Sequence, residues 1–568
     1  MSDPRNAFQR VYYALSKDYR GNLNRKWVEQ HGSPPPWTAA GQDYIANQEL
    51  ERNLLANPPQ VHGNARWMSR EQAASIAKSA NADQKDQSDG TFILGGAVDV
   101  EVGEVHTIAK SKPPGHALTI AATRAGKGTS QIIPNIITYG GSMLVIDPKG
   151  ENYLATHKYK RKLGRVIRID PFRVTEKGDP EAAFSCFNPI ASVHDESHAR
   201  RLSELMMGDR PTEGDSFWYD MPLELLQAVI FYVSQTRFNR ISDVRKILSV
   251  PDEYAKEGDE LTQLQSNLYA LASNTEYASI ANKVKQFASL NHRLRSSILA
   301  SLTAKISIWD EKQLSETVSG HHFDLEDMKH NRMTVYVILP FDRMNTYRAF
   351  LRIIVGQFYQ AMIREDTIPE VPVACIVDEF PALGQMTEIV KGLAEIGGYG
   401  VRFWLFAQGL AQLEQTYPKH YEQILSQCST VSIFGVTDGT TAKWLSEELG
   451  NETTAFYQST TGAGGGGLGK AGHPAVNVNT GRSVQLAGKP LLSTNDVREV
   501  LGVGSDFQVI LLSGHPPMLG CLIPWYTIDN LKERVEDTRQ IKANQNRQLP
   551  LPPKAKNKEW GFIPNEDS

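Results

Sequence analysis

The sequence predicts an α/β fold: a mostly parallel sheet with helices on both faces, interrupted by an inserted all-α block. Three observations carry that expectation. Short continuous apolar runs recur, such as Met143-Leu-Val-Ile146 and Val373-Ala-Cys-Ile-Val377, and helical stretches separate them. Strands buried on both faces read this way, without polar alternation. An apolar run at 118–121 passes into the small-residue stretch Thr123-Arg-Ala-Gly-Lys-Gly128 and then into an apolar segment at 130–137. Strand, loop with Lys, then helix is how a chain grips phosphate. From about Pro189 to Trp309 strand signals are few, and Trp218, Leu223, Leu226, Val229, Ile230 and Val233 keep helical spacing.

The elements follow in order. Residues 1–60 are polar and punctuated by Ser33-Pro-Pro-Pro36, which reads as helical pieces and a linker. Ser69-Arg-Glu-Gln72 is a capping-box pattern that starts a helix. Phe92-Ile-Leu-Gly-Gly96 and residues 98–108 read as a small β layer leading into the loop. Beyond the loop, strands at 142–147 and 165–170 end in the carboxylates Asp147 and Asp170. Strands return at 333–339, 371–377, 401–407, 430–434 and 507–512. Residues 460–469, with their run of glycines, read as flexible low-complexity chain. The expected division is a segment at 1–60, the first part of a nucleotide-binding domain at 61–188, an inserted all-α domain at 189–309, the second part at 310–548 and a flexible tail at 549–568.

Bulk composition excludes some classes. At 568 residues, with 40% hydrophobic and 22% charged residues, the chain can bury a large core. A net charge of −4 excludes a protein coated in positive charge, but not one local basic channel. Cys186, Cys375, Cys428 and Cys521 are far apart and form no C-x-x-C pair, the usage of a reducing compartment with no metal site implied. No signal peptide opens the chain, and no apolar run approaches the ~20 residues of a membrane span, so the chain reads as soluble.

The chemistry centres on the loop. Either backbone N–H groups of Thr123, Arg124, Ala125, Gly126, Lys127, Gly128 and Thr129 cradle phosphates, with Lys127 reaching the outer ones, or the stretch is a Gly-rich turn with a solvated lysine. The pattern G-x-x-x-x-G-K-[ST] is partly met: Ala121 stands for the first Gly and Gly128 for the Mg²⁺-binding hydroxyl, which Thr129 could supply instead. Asp378-Glu379 follows an apolar strand: either Asp378 would hold Mg²⁺, directly or through water, and Glu379 would orient and deprotonate the attacking water, or the two are an exposed acidic pair at a strand end. Gln408 ends the next strand, either as a γ-phosphate sensor or as a capping amide. Arg402, in that same strand, is either an arginine finger for a neighbouring subunit's nucleotide or an ordinary surface arginine. Lys283, Lys285, Arg293 and Arg295, with Lys305, cluster in the helical block as either a solvated face or a contact to DNA phosphates.

The stretches Ala122-Thr-Arg-Ala-Gly-Lys-Gly128, Ile133-Pro-Asn135, Val145-Ile-Asp-Pro-Lys-Gly-Glu151 and Phe187-Asn-Pro189 resemble the VirD4/TraG type IV secretion coupling proteins. Asp378-Glu-Phe-Pro-Ala-Leu-Gly384 is the most specific match, extended by Gly398-Tyr-Gly-Val-Arg402, Ala407-Gln408 and Gln412-Leu413. His62-Gly-Asn-Ala-Arg-Trp67 and Gly514-His-Pro-Pro517 fit the flanks, so the resemblance runs from about residue 61 to 530. It implies a hexameric ring ATPase using ATP and Mg²⁺, with a RecA-like P-loop motor and an all-α domain. It also implies handing single-stranded DNA–relaxase complexes, or protein effectors, to a type IV secretion channel. The family usually carries N-terminal transmembrane helices; here that region is polar. A separate membrane tether or a soluble member follows, placed in the cytoplasm or at the inner face of the membrane. Two other readings stand beside the motor: a weak-ATPase receptor docking relaxase or effector, and a chromosome-type (FtsK-like) double-stranded DNA pump.

Overall fold

The computed structural model describes residues 49–81, 90–99, 105–111, 115–208, 210–211, 216–236, 239–256, 259–465 and 476–536. The Ser33-Pro-Pro-Pro36 linker and the tail expected at 549–568 lie outside them. Strands β1 (Phe92–Val98), β2 (Val105–Ser111), β3 (His116–Ala121), β4 (Met143–Ile146), β5 (Arg165–Ile169), β6 (Met333–Val337), β7 (Val373–Val377), β8 (Val401–Ala407) and β9 (Cys428–Phe434) are followed by β10 (Asn451–Gly465), β11 (Val476–Pro490), β12 (Phe507–Leu512) and β13 (Met518–Cys521). Eleven of them form one sheet in the order β2-β1-β13-β12-β9-β3-β8-β7-β4-β6-β5. From β9 to β5 every pairing is parallel. From β2 to β9 through β12 every pairing is antiparallel.

Alternation along each parallel strand explains why the runs are apolar throughout. Leu144 and Ile146 join one buried cluster, while Met143 and Val145 join another across the sheet. Val401, Phe403 and Leu405 of β8 likewise face the first cluster, and Trp404 and Phe406 the second. A period of two with both faces covered favours apolar residues at successive positions, and the few polar ones in these strands, such as Thr119 and Arg402, are buried with partners. The first cluster continues into the helical block, through Leu223, Leu226, Val229 and Ile230 of helix Phe217–Ser234. Trp218, which shares their helical spacing, stands 46% exposed at that helix's first turn.

Between β5 and β6 the described chain is helical, through Glu196–Met207, Phe217–Ser234, Ile241–Leu248, Gln263–Asn274, Ala278–Ala288 and His292–Ile306. Local sequence fixes several starts. Thr262 and Gln265 form a reciprocal capping box, and Asn291 accepts from the Leu294 N–H at 3.0 Å. The box at Ser69 also forms: the Ser69 N–H donates to Gln72 Oε1 at 3.0 Å and the Gln72 N–H to Ser69 Oγ at 3.3 Å.

The stretch at 460–469 differs from expectation. Its described part belongs to β10, which pairs with β11 from Asn451↔Pro490 to Gly465↔Val476 as a separate two-stranded ribbon. Thr, Asn and Gly on both strands hid it, because no apolar face marks a ribbon lying off the main sheet. Among the described residues no helix is long and apolar enough to cross a membrane.

Candidate nucleotide site

Parallel pairing puts the carboxyl ends of β3, β8, β7 and β4 side by side. The loop after β3, Gln408 after β8, Asp378-Glu379 after β7 and Asp147 after β4 therefore meet at one edge, where open α/β sheets bind ligands. They line a cavity of about 520 Å³ that Thr123, Arg124, Ala125, Gly126, Lys127, Gly128 and Thr129 all border.

The loop turns at Gly126 (φ +104) and runs into a π-turn, Gly128–Ile132, before helix Ile133–Thr138. Ala121, at the place of the first glycine, packs with Phe434 and Leu522. The close approach is made from the other side: at Gly435 (φ +59) a Cβ would lie 2.3 Å from that of Ala125. Thr129 Oγ1 donates to the Gly126 carbonyl at 3.1 Å, keeping its hydroxyl in the loop. Buried amides anchor the segment that follows. Gln131 accepts from Thr119 Oγ1 at 2.7 Å and donates to Ser432 Oγ at 2.9 Å. Asn135 bonds both the N–H and the carbonyl of Ile93, at 2.7 and 2.8 Å. The Ile133-Pro-Asn135 stretch thus ties the phosphate loop to β1.

Two carboxyls in the cavity resist ionisation. Desolvation pushes Asp147 up to about 7, and the charges of Asp378 and Glu151 add to the shift. Desolvation pushes Asp378 up to about 6, with the Lys127 ammonium pulling the other way. A wall with two such acids near one lysine has the donor set for a divalent cation and a polyphosphate. Glu379 is buried, with φ 83 and ψ 57, and its carboxylate accepts from Gln408 Nε2 at 2.8 Å and Gln412 Nε2 at 2.7 Å.

Sequence reasoning missed several members. Asp147 ends a strand just as Asp378 does, a signal that was readable. Phe341, Asp506, Leu522, Pro524 and Tyr526 carried no local signal but line the cavity, and burial pushes Asp506 up to about 6; Gln412, outside the lining, stood out only within the family motif.

Arg402 is not placed as a finger. It is fully buried near the amino end of β8, roughly 20 Å of strand from Gln408. Its guanidinium lies 5.0 Å from the Phe92 ring centroid and donates to the Gly90 carbonyl at 3.0 Å. It clamps β1 to β8 and cannot extend to another subunit without unpacking that contact.

The basic cluster also divides. Arg295 is buried, pairs with Asp252 at 3.0 Å and donates to the carbonyls of Ala288 and Leu290, so it is a structural residue and not a phosphate contact. Lys283 is half-buried and donates to Gln227 Oε1 at 2.8 Å. Lys305 Nζ donates to the Met207 carbonyl at 3.3 Å. Lys285 and Arg293 are exposed.

Known proteins resemble this chain along most of its length. A conjugal transfer protein TraG of Escherichia coli is 22% identical over 502 residues, covering 81% of this chain and 76% of that protein. A TraG of Agrobacterium fabrum is 23% identical over 512 residues, covering 84% and 72%. The structure of plasmid coupling protein TrwB in complex with ADP and Mg²⁺ superposes with a TM-score of 0.54 at 14% identity, over 81% of this chain and 94% of that one. TrwB with a non-hydrolysable ATP analogue gives 0.56 at 13%, over 83% and 96%. At these identities the structural likeness establishes the fold, a RecA-like P-loop core. Residues 64–548 match the sequence profile of one family, and the chain belongs to it: type IV secretory system conjugative DNA transfer.

Proposed function

We propose that this protein is an ATP-hydrolysing coupling protein that recruits DNA–relaxase complexes, or protein effectors, to a type IV secretion channel and helps drive their transfer. The observation that carries it is the convergence of Lys127, Asp378, Glu379 and Gln408 on one cavity. The loop N–H groups and Lys127 bind the β- and γ-phosphates. Asp378 and Thr129 hold Mg²⁺, which supplies neutralisation of phosphate charge when bound. Glu379 accepts a proton as a water oxygen bonds the γ-phosphorus and the bond to the β,γ-bridging oxygen breaks, its electron pair leaving with ADP. Gln408 faces the γ-phosphate. Its bond to Glu379 links that sensor to the base.

Residues 61–188 and 310–548 form the motor and 189–309 the all-α domain, the motor working as a homo-hexamer against the inner face of the membrane, held by channel subunits or a separate tether. Turnover of ATP by wild type and Lys127→Ala, with and without single-stranded DNA, tests this. Hydrolysis that Lys127→Ala abolishes is expected, because the lost ammonium neutralises charge that grows in the transition state. Wild-type turnover in Lys127→Ala refutes the site.

A further inference from the structure

Glu379 is held by more than the strand that ends beside it. Its backbone lies in the left-handed region, φ 83, which a side chain disfavours. Each carboxylate oxygen takes one amide: Oε2 from Gln408 and Oε1 from Gln412, at 2.8 and 2.7 Å. The side-chain amide oxygen Oε1 of Gln412 in turn accepts from the Gln408 backbone N–H at 3.0 Å. The three residues close a ring of hydrogen bonds, and the ring fixes which end of the Gln412 amide faces which partner. Gln412 is the third residue of helix Leu410–Thr416 and stands behind the cavity that Glu379 and Gln408 line.

We propose that Gln412 is a positioning residue for ATP hydrolysis, fixing the carboxylate of Glu379 in the orientation that accepts the proton of the attacking water. The proposal rests on reading the cavity as an ATPase site. A base on a strained backbone, with rotatable side-chain bonds, has many directions in which to point. Two amides on different oxygens fix its plane, and each oxygen keeps a lone pair for water. Gln408 alone would leave the carboxylate free to swing about one contact. Gln412 exchanges no proton and touches no phosphate, so its effect falls on the chemical step and not on nucleotide affinity.

The test uses the full chain. Gln412→Glu keeps an oxygen for the Gln408 N–H but loses the donor to Glu379; Gln412→Asn is too short to serve both, and thermal melting checks that each variant is folded. We expect kcat to fall about 10- to 100-fold, with KM for ATP changed less than about twofold. In a Glu379→Gln background, Gln412→Glu should produce no further loss of residual turnover, since it acts only through the carboxylate. Wild-type kcat in both folded variants overturns the proposal. So does an equal loss with and without the Glu379 carboxylate, the mark of a general structural role. Wild type and Lys127→Ala run in the same assay. A wild type without ATP turnover overturns the ATPase reading and this proposal together, whereas an active wild type beside unaffected Gln412 variants overturns this proposal alone.

Discussion

At the carboxyl edge of the parallel strands, Asp147, Asp378 and Glu379 border one cavity with Lys127. In the helical block, by contrast, Arg295 is closed against Asp252 with their side chains 4% and 7% exposed. In the first arrangement desolvation pushes Asp147 and Asp378 toward neutrality; the second cancels its charges internally. A buried charge answered by a partner supports the fold, and a crowd of acids facing open space is poised for a ligand. Charge clusters that look alike in sequence therefore differ in kind, and the difference can be broken by experiment.

The largest effect is expected at the edge. Glu379→Gln should lower ATP turnover by about 10²- to 10⁴-fold while ATP stays bound, measured by phosphate release beside retention of a radiolabelled nucleotide. Equal loss of binding and turnover would make Glu379 a scaffold residue like Arg295. In the helical block, Asp252→Asn should cost about 3–5 kcal/mol of stability in urea unfolding, because it leaves Arg295 buried and uncompensated, yet spare turnover of the folded fraction.

The edge should respond oppositely. Asp147 and Asp378 titrate at about 7 and about 6 when folded, against an ordinary 3.8. Their stabilising contribution is thus full below about pH 4 and is lost as pH rises through 6 to 7. Asp378→Asn should accordingly raise stability by about 1–3 kcal/mol at pH 7.5 in a chelator, and remove most of the further gain from adding Mg²⁺. A destabilised Asp378→Asn would assign that carboxylate to the paired class. The smallest effect belongs to the exposed cations. Lys285→Ala with Arg293→Ala should weaken single-stranded DNA binding less than about tenfold and make the log–log salt slope shallower by about 1–2. An unchanged slope would move the DNA path away from this face, or point to a protein cargo.

What could be read from the sequence was what local order encodes. Apolar runs gave the strands because both sheet faces are buried, and Gly126-Lys127 and Asp378-Glu379 stood out because a few adjacent residues carry them. Burial of long side chains was not readable. Arg402 sits in a strand whose every residue is buried, and Arg295 on a helix whose buried partner, Asp252, lies 43 residues earlier in the chain. Gln412 was visible only as part of a family motif, since its partner Glu379 follows β7, 33 residues earlier in the chain. The ribbon of β10 and β11 escaped because polar, glycine-rich strands outside a core lack the pattern by which strands are recognised.

The position of β3 has a consequence for synthesis. This strand carries the phosphate loop, yet its two sheet neighbours are β8 and β9, encoded hundreds of residues later. During translation at about 5–20 residues per second, the edges of β3 stay unpaired for on the order of 15–60 s. Nucleotide cannot assist early folding, because the strands that bring it Gln408 and the acidic pair do not yet exist. Chains arrested before Val401 should fail to stay on immobilised ATP and should engage chaperones, whereas release after Phe434 restores both neighbours. Retention by the shorter chains would show that the loop folds without its sheet.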